Sequence, residues 1–250
     1  MQYFGFDRTL GQMRTFGFAV EVFEMAEGLP TELFKNNEQG AFYLPEPENL
    51  FQDAAMTIPV TANGDPVGAM IDLSGNGNHA TQTVSASRPT YQTDGILHWL
   101  QGDGVDDIIS TPLSLSQPLT RVVGAFILSF DHADRLLGGS DSYLAMSKTN
   151  RLGMFYGKSL FSQDGELQIN DSMVVTEDMN GASSSVQFGN TKVEGDAGNN
   201  PITNLTLFGQ NSGSNSNIKM YGLIVVGNTL TSVDKANLQK YLAQKSGVTL

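Results

Sequence analysis

From Gly40 onward the chain is a succession of short apolar or alternating runs, each closed by a turn signal. The runs are Ala41–Leu44, Val67–Asp72, Ile96–Gln101, Asp107–Ser110, Arg121–Phe130, Ser142–Ser147, Arg151–Tyr156, Ser172–Thr176, Ser184–Phe188, Thr203–Gly209 and Lys219–Val226. Asn63-Gly64, Asp164-Gly165 and Asn180-Gly181 lie between them and suit tight turns that need positive φ. Strands at this spacing, with no helical segments between them, predict antiparallel sheets rather than βαβ units. Two runs, Val122–Phe130 and Met220–Val226, are almost wholly apolar. Such runs read as strands covered on both faces or central in a sandwich. Gly189–Asn217 is rich in Asn, Gly and Ser and predicts exposed loops around one strand.

Both ends of the chain differ from this rhythm. Residues 1–39 are Phe-rich, and Arg14–Glu27 has helical spacing through Phe16, Val20 and Phe23, with a stop at Gly28-Leu29-Pro30. A second short helix is expected behind Thr31 as its cap. The chain closes on a predicted helix over residues 232–245, capped by Thr231 or Ser232, with Leu238, Tyr241 and Leu242 on one face and Gly247 behind it.

Composition narrows the chemistry. The net charge of −12 and pI near 4.5 repel phosphate backbones, so nucleic acid is not an expected partner. There is no cysteine, which removes disulfides, thiolate zinc sites and cysteine nucleophiles, and fits assembly in a reducing cytoplasm. No apolar run approaches the ~20 residues of a membrane-spanning helix. The N-terminus does not read as a signal peptide, because Glu21, Glu24 and Glu27 interrupt its apolar stretch.

Two segments carry a family resemblance. One runs from Gly40 through Asp72-Leu73-Ser74-Gly75-Asn76-Gly77-Asn78 to Gly102-Asp103-Gly104-Val105-Asp106-Asp107; the other is Met220–Val225 with the terminal helix. Together they resemble the laminin G-like, concanavalin A-like jelly-roll domains of bacteriophage and prophage structural proteins. The resemblance covers residues 40–110 and 203–250, while 111–202 matches in strand rhythm only and 1–39 matches no motif. Residues 1–39, Phe-rich by composition, either pack on the sandwich or form a partly helical attachment arm that docks on a partner protein, and the arm is the reading taken. The resemblance implies an all-β, two-sheet antiparallel jelly-roll sandwich over 40–250, with the terminal helix on one edge. It also implies a non-catalytic virion protein, oligomeric in the particle. Phe4, Phe6, Phe16, Phe18 and Phe23 would bind other virion proteins, and the exposed sandwich would adsorb to host-surface glycans. The alternative is a free or cell-surface carbohydrate-binding module.

Candidate sites are few. Asp72, Ser74, Asn76 and Asn78 place oxygens at alternating positions around glycines, as calcium loops do, but the distal Glu of such loops is missing. Asp103 with Asp106 and Asp107 forms an acidic cluster of the kind that holds calcium at the rim of some lectin-like sandwiches. Asp72, Asn76 and Asp103 are therefore the candidate calcium ligands. In both places a structural turn, with no cofactor, is the preferred reading. The close Glu46–Glu48 pair sits among prolines in a loop, and Asp106 and Asp107 would face opposite sides of a strand. Neither arrangement suits a retaining glycosidase. His79, His98 and His132 show no metal or hydrolase spacing. Trp99, Tyr143, Phe155 and Tyr156 are candidates for stacking on sugar rings, with core packing the expected fate of each.

Overall fold

The computed structural model describes residues 29–129, 134–210 and 214–250. Strand Leu119–Ser129 runs through the middle of one sheet, between Ser172–Met179 and Asn217–Val226. Beyond Ser172–Met179 lie Ser184–Phe188 and the edge strand Thr191–Gly195. On the other side Asn217–Val226 pairs with two strands at different heights. Gly40–Tyr43 takes Leu223 to Val226, and His98–Gln101, followed by Thr90–Thr93, takes Lys219 and Met220.

The second sheet has nine strands in the order Ser159–Phe161, Arg151–Phe155, Tyr143–Ser147, Arg135–Gly138, Thr206–Leu207, Ile109–Ser110, Ala80–Thr81, Ala69–Met70 and Leu50–Phe51. A short pair, Ile202–Thr203 with Ser114–Leu115, stands apart. All pairings are antiparallel, and the chain is the all-β sandwich that its strand rhythm predicts.

The two apolar runs owe their continuity to two separate cores. Successive side chains of a strand point to opposite faces. Leu119, Val123, Ala125 and Ile127 therefore face the second sheet and join Leu223 and Val225 in the inter-sheet core. Val122, Ile224 and Val226 point the other way, into a second core made with Leu238, Leu242 and Ala243 of the terminal helix. That helix, Ser232–Ser246, starts at Thr231, whose side chain accepts from the Asp234 N–H, and ends at Gly247 in the left-handed region at φ 68°. It lies on the outer face of the first sheet, which corrects the expected position at an edge. The outward Val122, Ile224 and Val226 have to be covered, and at Gly222 the sheet leaves the room that Leu242 fills: a Cβ there would lie 2.8 Å from Leu242 Cδ2.

Three further points differ from the expectations. The short helix is Leu29–Glu32, so Thr31 lies inside it and is not its cap. Phe34 is buried in the second core beside Phe42 and Leu44, so packed structure begins before Gly40. Thr191–Gly195 is a strand rather than loop; as an edge it needs one partner, and it pairs through its whole length with Ser184–Phe188 although Val193 is its only large apolar residue. Arg14–Glu27, Phe4, Phe6, Phe16, Phe18 and Phe23 lie outside the described residues. Among the described residues no helix is long and apolar enough to cross a membrane.

Candidate functional site

The Asp72 loop is a brace. Asp72 is buried, and its carboxylate accepts from the backbone N–H groups of Phe42, Ser74 and Asn78, each at 2.9 Å. Asn76 uses its amide as a donor, to the carbonyls of Glu38 at 3.0 Å and Gly40 at 3.2 Å. Asn78 adds a bond to Gly40 O at 2.8 Å, and the Tyr43 hydroxyl donates to Asn78 O. His79 Nδ1 accepts from the Asp72 N–H at 3.0 Å. The Asp72 carboxylate and the side-chain amides of Asn76 and Asn78 thus tie this loop to the first strand and the residues before it.

The structure does bring Asp103, Asp106 and Asp107 together, with ligand oxygens all within 4.8 Å of one another. Asp72 and Asn76 belong to the separate brace. Asp103 Oδ1 accepts from the N–H groups of Val105, Asp106 and Asp107, as an Asx turn does, and Asp107 Oδ2 accepts from the Asp103 N–H at 3.0 Å. Asp106 Oδ2 takes the Ser87 hydroxyl at 2.9 Å. Burial pushes the Asp107 carboxyl up to about 6, and the Asp103 charge adds to that push.

Glu46 precedes a 3-10 turn, Pro47–Asn49, and pairs with Lys245 Nζ at 2.5 Å. It lines a cleft of about 250 Å³ with Leu97, His98 and Tyr221. His98 Nδ1 is 2.6 Å from the Tyr91 hydroxyl. His132 lies outside the described residues.

The four aromatic candidates separate. Tyr156 is fully buried in the inter-sheet core, beside an ion pair between Arg121 and Glu177. Trp99 sits on the first sheet, 5.9 Å from the Tyr221 ring and with Lys219 Nζ 4.5 Å from its centroid.

Tyr143 and Phe155 lie together on the second sheet, and their expected fate as core residues is corrected. Leu144, Met146, Leu152 and Met154 fill the inter-sheet core, so their neighbours Tyr143, Ala145, Gly153 and Phe155 point outward. Tyr143 is the cross-strand partner of Phe155, and the rings stack at 5.0 Å and 12°. One strand further, Phe161 faces Gly153; a Cβ on that glycine would meet the Phe161 ring at 2.5 Å, so the ring lies across it. Arg135 places its guanidinium 4.5 Å from the Tyr143 centroid, and Arg151 its own 5.5 Å from the Phe161 centroid. All five side chains are half-buried. Ala145 and Gly153 keep the floor between them low.

Sequence reasoning missed Phe161, Arg135 and Arg151 as members of this group. A signal was present in the alternation: in Tyr143–Ser147 and Arg151–Phe155 the aromatic and charged residues share a phase opposite to Leu and Met.

No family model matches the sequence, and no curated protein matches it. Solved structures do resemble it. Trypanosoma rangeli sialidase in complex with the inhibitor DANA aligns with a TM-score of 0.55 and 17% identity, over 76% of this chain and 32% of the sialidase. The same sialidase as its 2,3-difluorosialic acid covalent intermediate aligns at 0.56 and 15%, over 86% and 34%. Domain 4 of a GH43 extracellular arabinanase from Geobacillus stearothermophilus, in complex with arabinotriose, aligns at 0.54 and 11%, over 81% of this chain and 98% of that domain. The sialidases are enzymes, so the expectation that this chain is not an enzyme is overturned. The chain spans about a third of their length, and at this identity the likeness shows the fold. That fold is a β-sandwich of the kind found in carbohydrate-active proteins, which agrees coarsely with the concanavalin A-like reading.

Proposed function

We propose that the chain is a glycan-binding β-sandwich displayed on a bacteriophage particle. One observation carries the binding part: the outward platform of Tyr143, Phe155 and Phe161 on the sheet opposite the one that carries the terminal helix. Half-exposed rings side by side on a rigid sheet match the apolar faces of pyranose and furanose rings, and the arginines beside them supply polar contacts. All three ring-bearing residues are fixed by strand pairing, so little ordering is needed on binding. The sugar named in the arabinanase-domain structure, arabinotriose, makes oligosaccharides a reasonable first panel.

The test is binding of the full chain to a panel of oligosaccharides, alongside Phe155→Ala. Loss of one stacked ring is expected to weaken binding about tenfold or more, which is about 1.4 kcal/mol. Sugar binding that survives Phe155→Ala unchanged would place the site elsewhere.

The particle part rests on sequence: the motif resemblance over 40–110, and Phe4, Phe6, Phe16, Phe18 and Phe23 as an attachment element. Each large apolar side chain gains ~1.5–3 kcal/mol on full burial, so such a cluster favours a protein partner. Phe34 belongs to the folded core, so the deletion to make is residues 1–28. A shortened protein that melts cooperatively and no longer enters particles supports attachment. One that still enters particles refutes it.

A further inference from the structure

We infer that the aromatic platform of the second sheet takes an acidic sugar, one carrying a carboxylate or a sulfate, with Arg135 and Arg151 as its charge-reading residues. This rests on the glycan-binding reading above and adds the substrate class.

The argument starts from the six arginines of the chain. Arg8 and Arg14 lie outside the described residues. Arg88 is spent on the chain itself, donating to the carbonyls of Gln82, Gln52 and Thr83. Arg121 is sealed in the core against Glu177. The two that remain, Arg135 and Arg151, both sit on aromatic faces of one platform. The protein carries a net charge of −12, so its general field repels anions. A pair of arginines set beside rings is a local exception to that field.

The pose suits recognition as well as charge. A guanidinium beside a ring offers its terminal N–H groups as a fork of donors matched to the two oxygens of a carboxylate or sulfate. Arg135 lies opposite Ala145, Ala145 opposite Gly153, and Arg151 two residues from Gly153. Two strand spacings across and two residues along put their Cα atoms roughly 12 Å apart, with the rings beside that line. An oligosaccharide lying on the rings therefore passes both arginines.

Arg151 Nε donates to Ser147 Oγ at 3.2 Å and has an anion nearby, Asp164 Oδ1 at 3.3 Å. The Asp164 side chain is 69% exposed, and such a pair is held weakly, so a ligand anion on the platform displaces it. Asp164 also accepts from Thr149 Oγ1 at 2.7 Å, which gives it a resting place at the turn between Tyr143–Ser147 and Arg151–Phe155.

The experiment is calorimetric titration of the full chain with three sugars of matched length: an oligogalacturonate, a sulfated chondroitin oligosaccharide and a neutral arabino-oligosaccharide. At least one acidic sugar is expected to bind at least tenfold tighter than the neutral one, with the preference eroding as salt rises. Which acidic sugar does so separates carboxylate from sulfate. The double variant Arg135→Gln/Arg151→Gln is expected to bring acidic-sugar affinity down to that of the neutral sugar. Arg135→Lys/Arg151→Lys, which keeps charge and loses the fork, should fall between. Equal affinity for acidic and neutral sugars in the unaltered chain overturns the charge reading and leaves glycan binding standing. An acidic preference that survives the glutamine variant overturns it as well. A poly-glutamate peptide bound as tightly as the acidic sugar points to a protein tail and overturns the sugar assignment. Absence of binding to all three sugars refutes the glycan reading itself, and this inference with it.

Discussion

Arg121 and Glu177 are cross-strand partners in the inter-sheet core, with Arg121 Nε 2.5 Å from Glu177 Oε2 and both side chains 1% exposed. Burial pushes the Glu177 carboxyl above its ordinary range, and the arginine pulls against that push. The arrangement is incompletely satisfied. Arg121 Nη2, Glu177 Oε1 and the Tyr156 hydroxyl are buried without a hydrogen-bond partner. A buried pair recovers through mutual attraction roughly what its desolvation costs, so its net contribution is small, while removing one partner strands the other charge. Arg121→Met and Glu177→Leu are each expected to destabilise by about 3–5 kcal/mol. The double variant is expected to lie near the parent, neutral or up to ~4 kcal/mol more stable, because it replaces two charges and their orphaned atoms with apolar volume. The coupling in the double-mutant cycle is then about the sum of the two single losses, ~6–10 kcal/mol, and opposite in sign. Urea denaturation with linear extrapolation measures all three variants. Single losses below 1 kcal/mol, or a double loss equal to the sum of the singles, would refute the reasoning.

Tyr156→Phe removes one buried hydroxyl that lacks a partner, so the melting temperature is expected to hold or rise; a clear fall would show that the hydroxyl is hydrogen-bonded. Asp107 has a folded value of about 6 against an ordinary 3.8, so it favours the folded state fully below pH ~4 and this contribution is lost as pH rises through 6. Asp107→Asn should therefore stabilise at pH 7 by ~1–3 kcal/mol and leave stability at pH 4 unchanged, read from melts across that range. Asp72→Ala deprives three backbone N–H groups of their acceptor and should cost at least ~3 kcal/mol, whereas Asp72→Asn, which keeps one oxygen, costs less. Thr231→Ala removes the helix cap and should cost ~0.5–2 kcal/mol by chemical denaturation; no loss would mean that the second core alone sets the helix start.

The parts of this fold that could be read from sequence are those where one strand's own pattern decides its environment. Val122–Phe130 and Met220–Val226 have no polar phase, and Val122–Ile127 and Met220–Val226 are covered by a sheet on one side and, in part, by a helix on the other. The terminal helix was legible from its cap residue and its Gly247 stop. The acidic turn at Asp103 was legible as a cluster, because its members are close in sequence. What could not be read depends on partners distant in sequence. That the helix lies on a face follows from Gly222 and Leu242 meeting, which neither residue states alone. Thr191–Gly195 is a strand because Ser184–Phe188 offers it an edge, with little apolar content of its own to announce it. The platform has the same origin. Tyr143, Phe155 and Phe161 look alike as isolated aromatics in apolar runs, as Tyr156 does. Phe155 and Tyr156 are adjacent, and the two-residue period of the strand sends the first to the surface and the second to the core. A register shift of one residue in Arg151–Phe155 would exchange them, burying a ring against Tyr143's partner position and exposing Leu152 and Met154. The pairing Tyr143 with Phe155 and Gly153 with Phe161 is thus what turns a common aromatic content into a surface with a use.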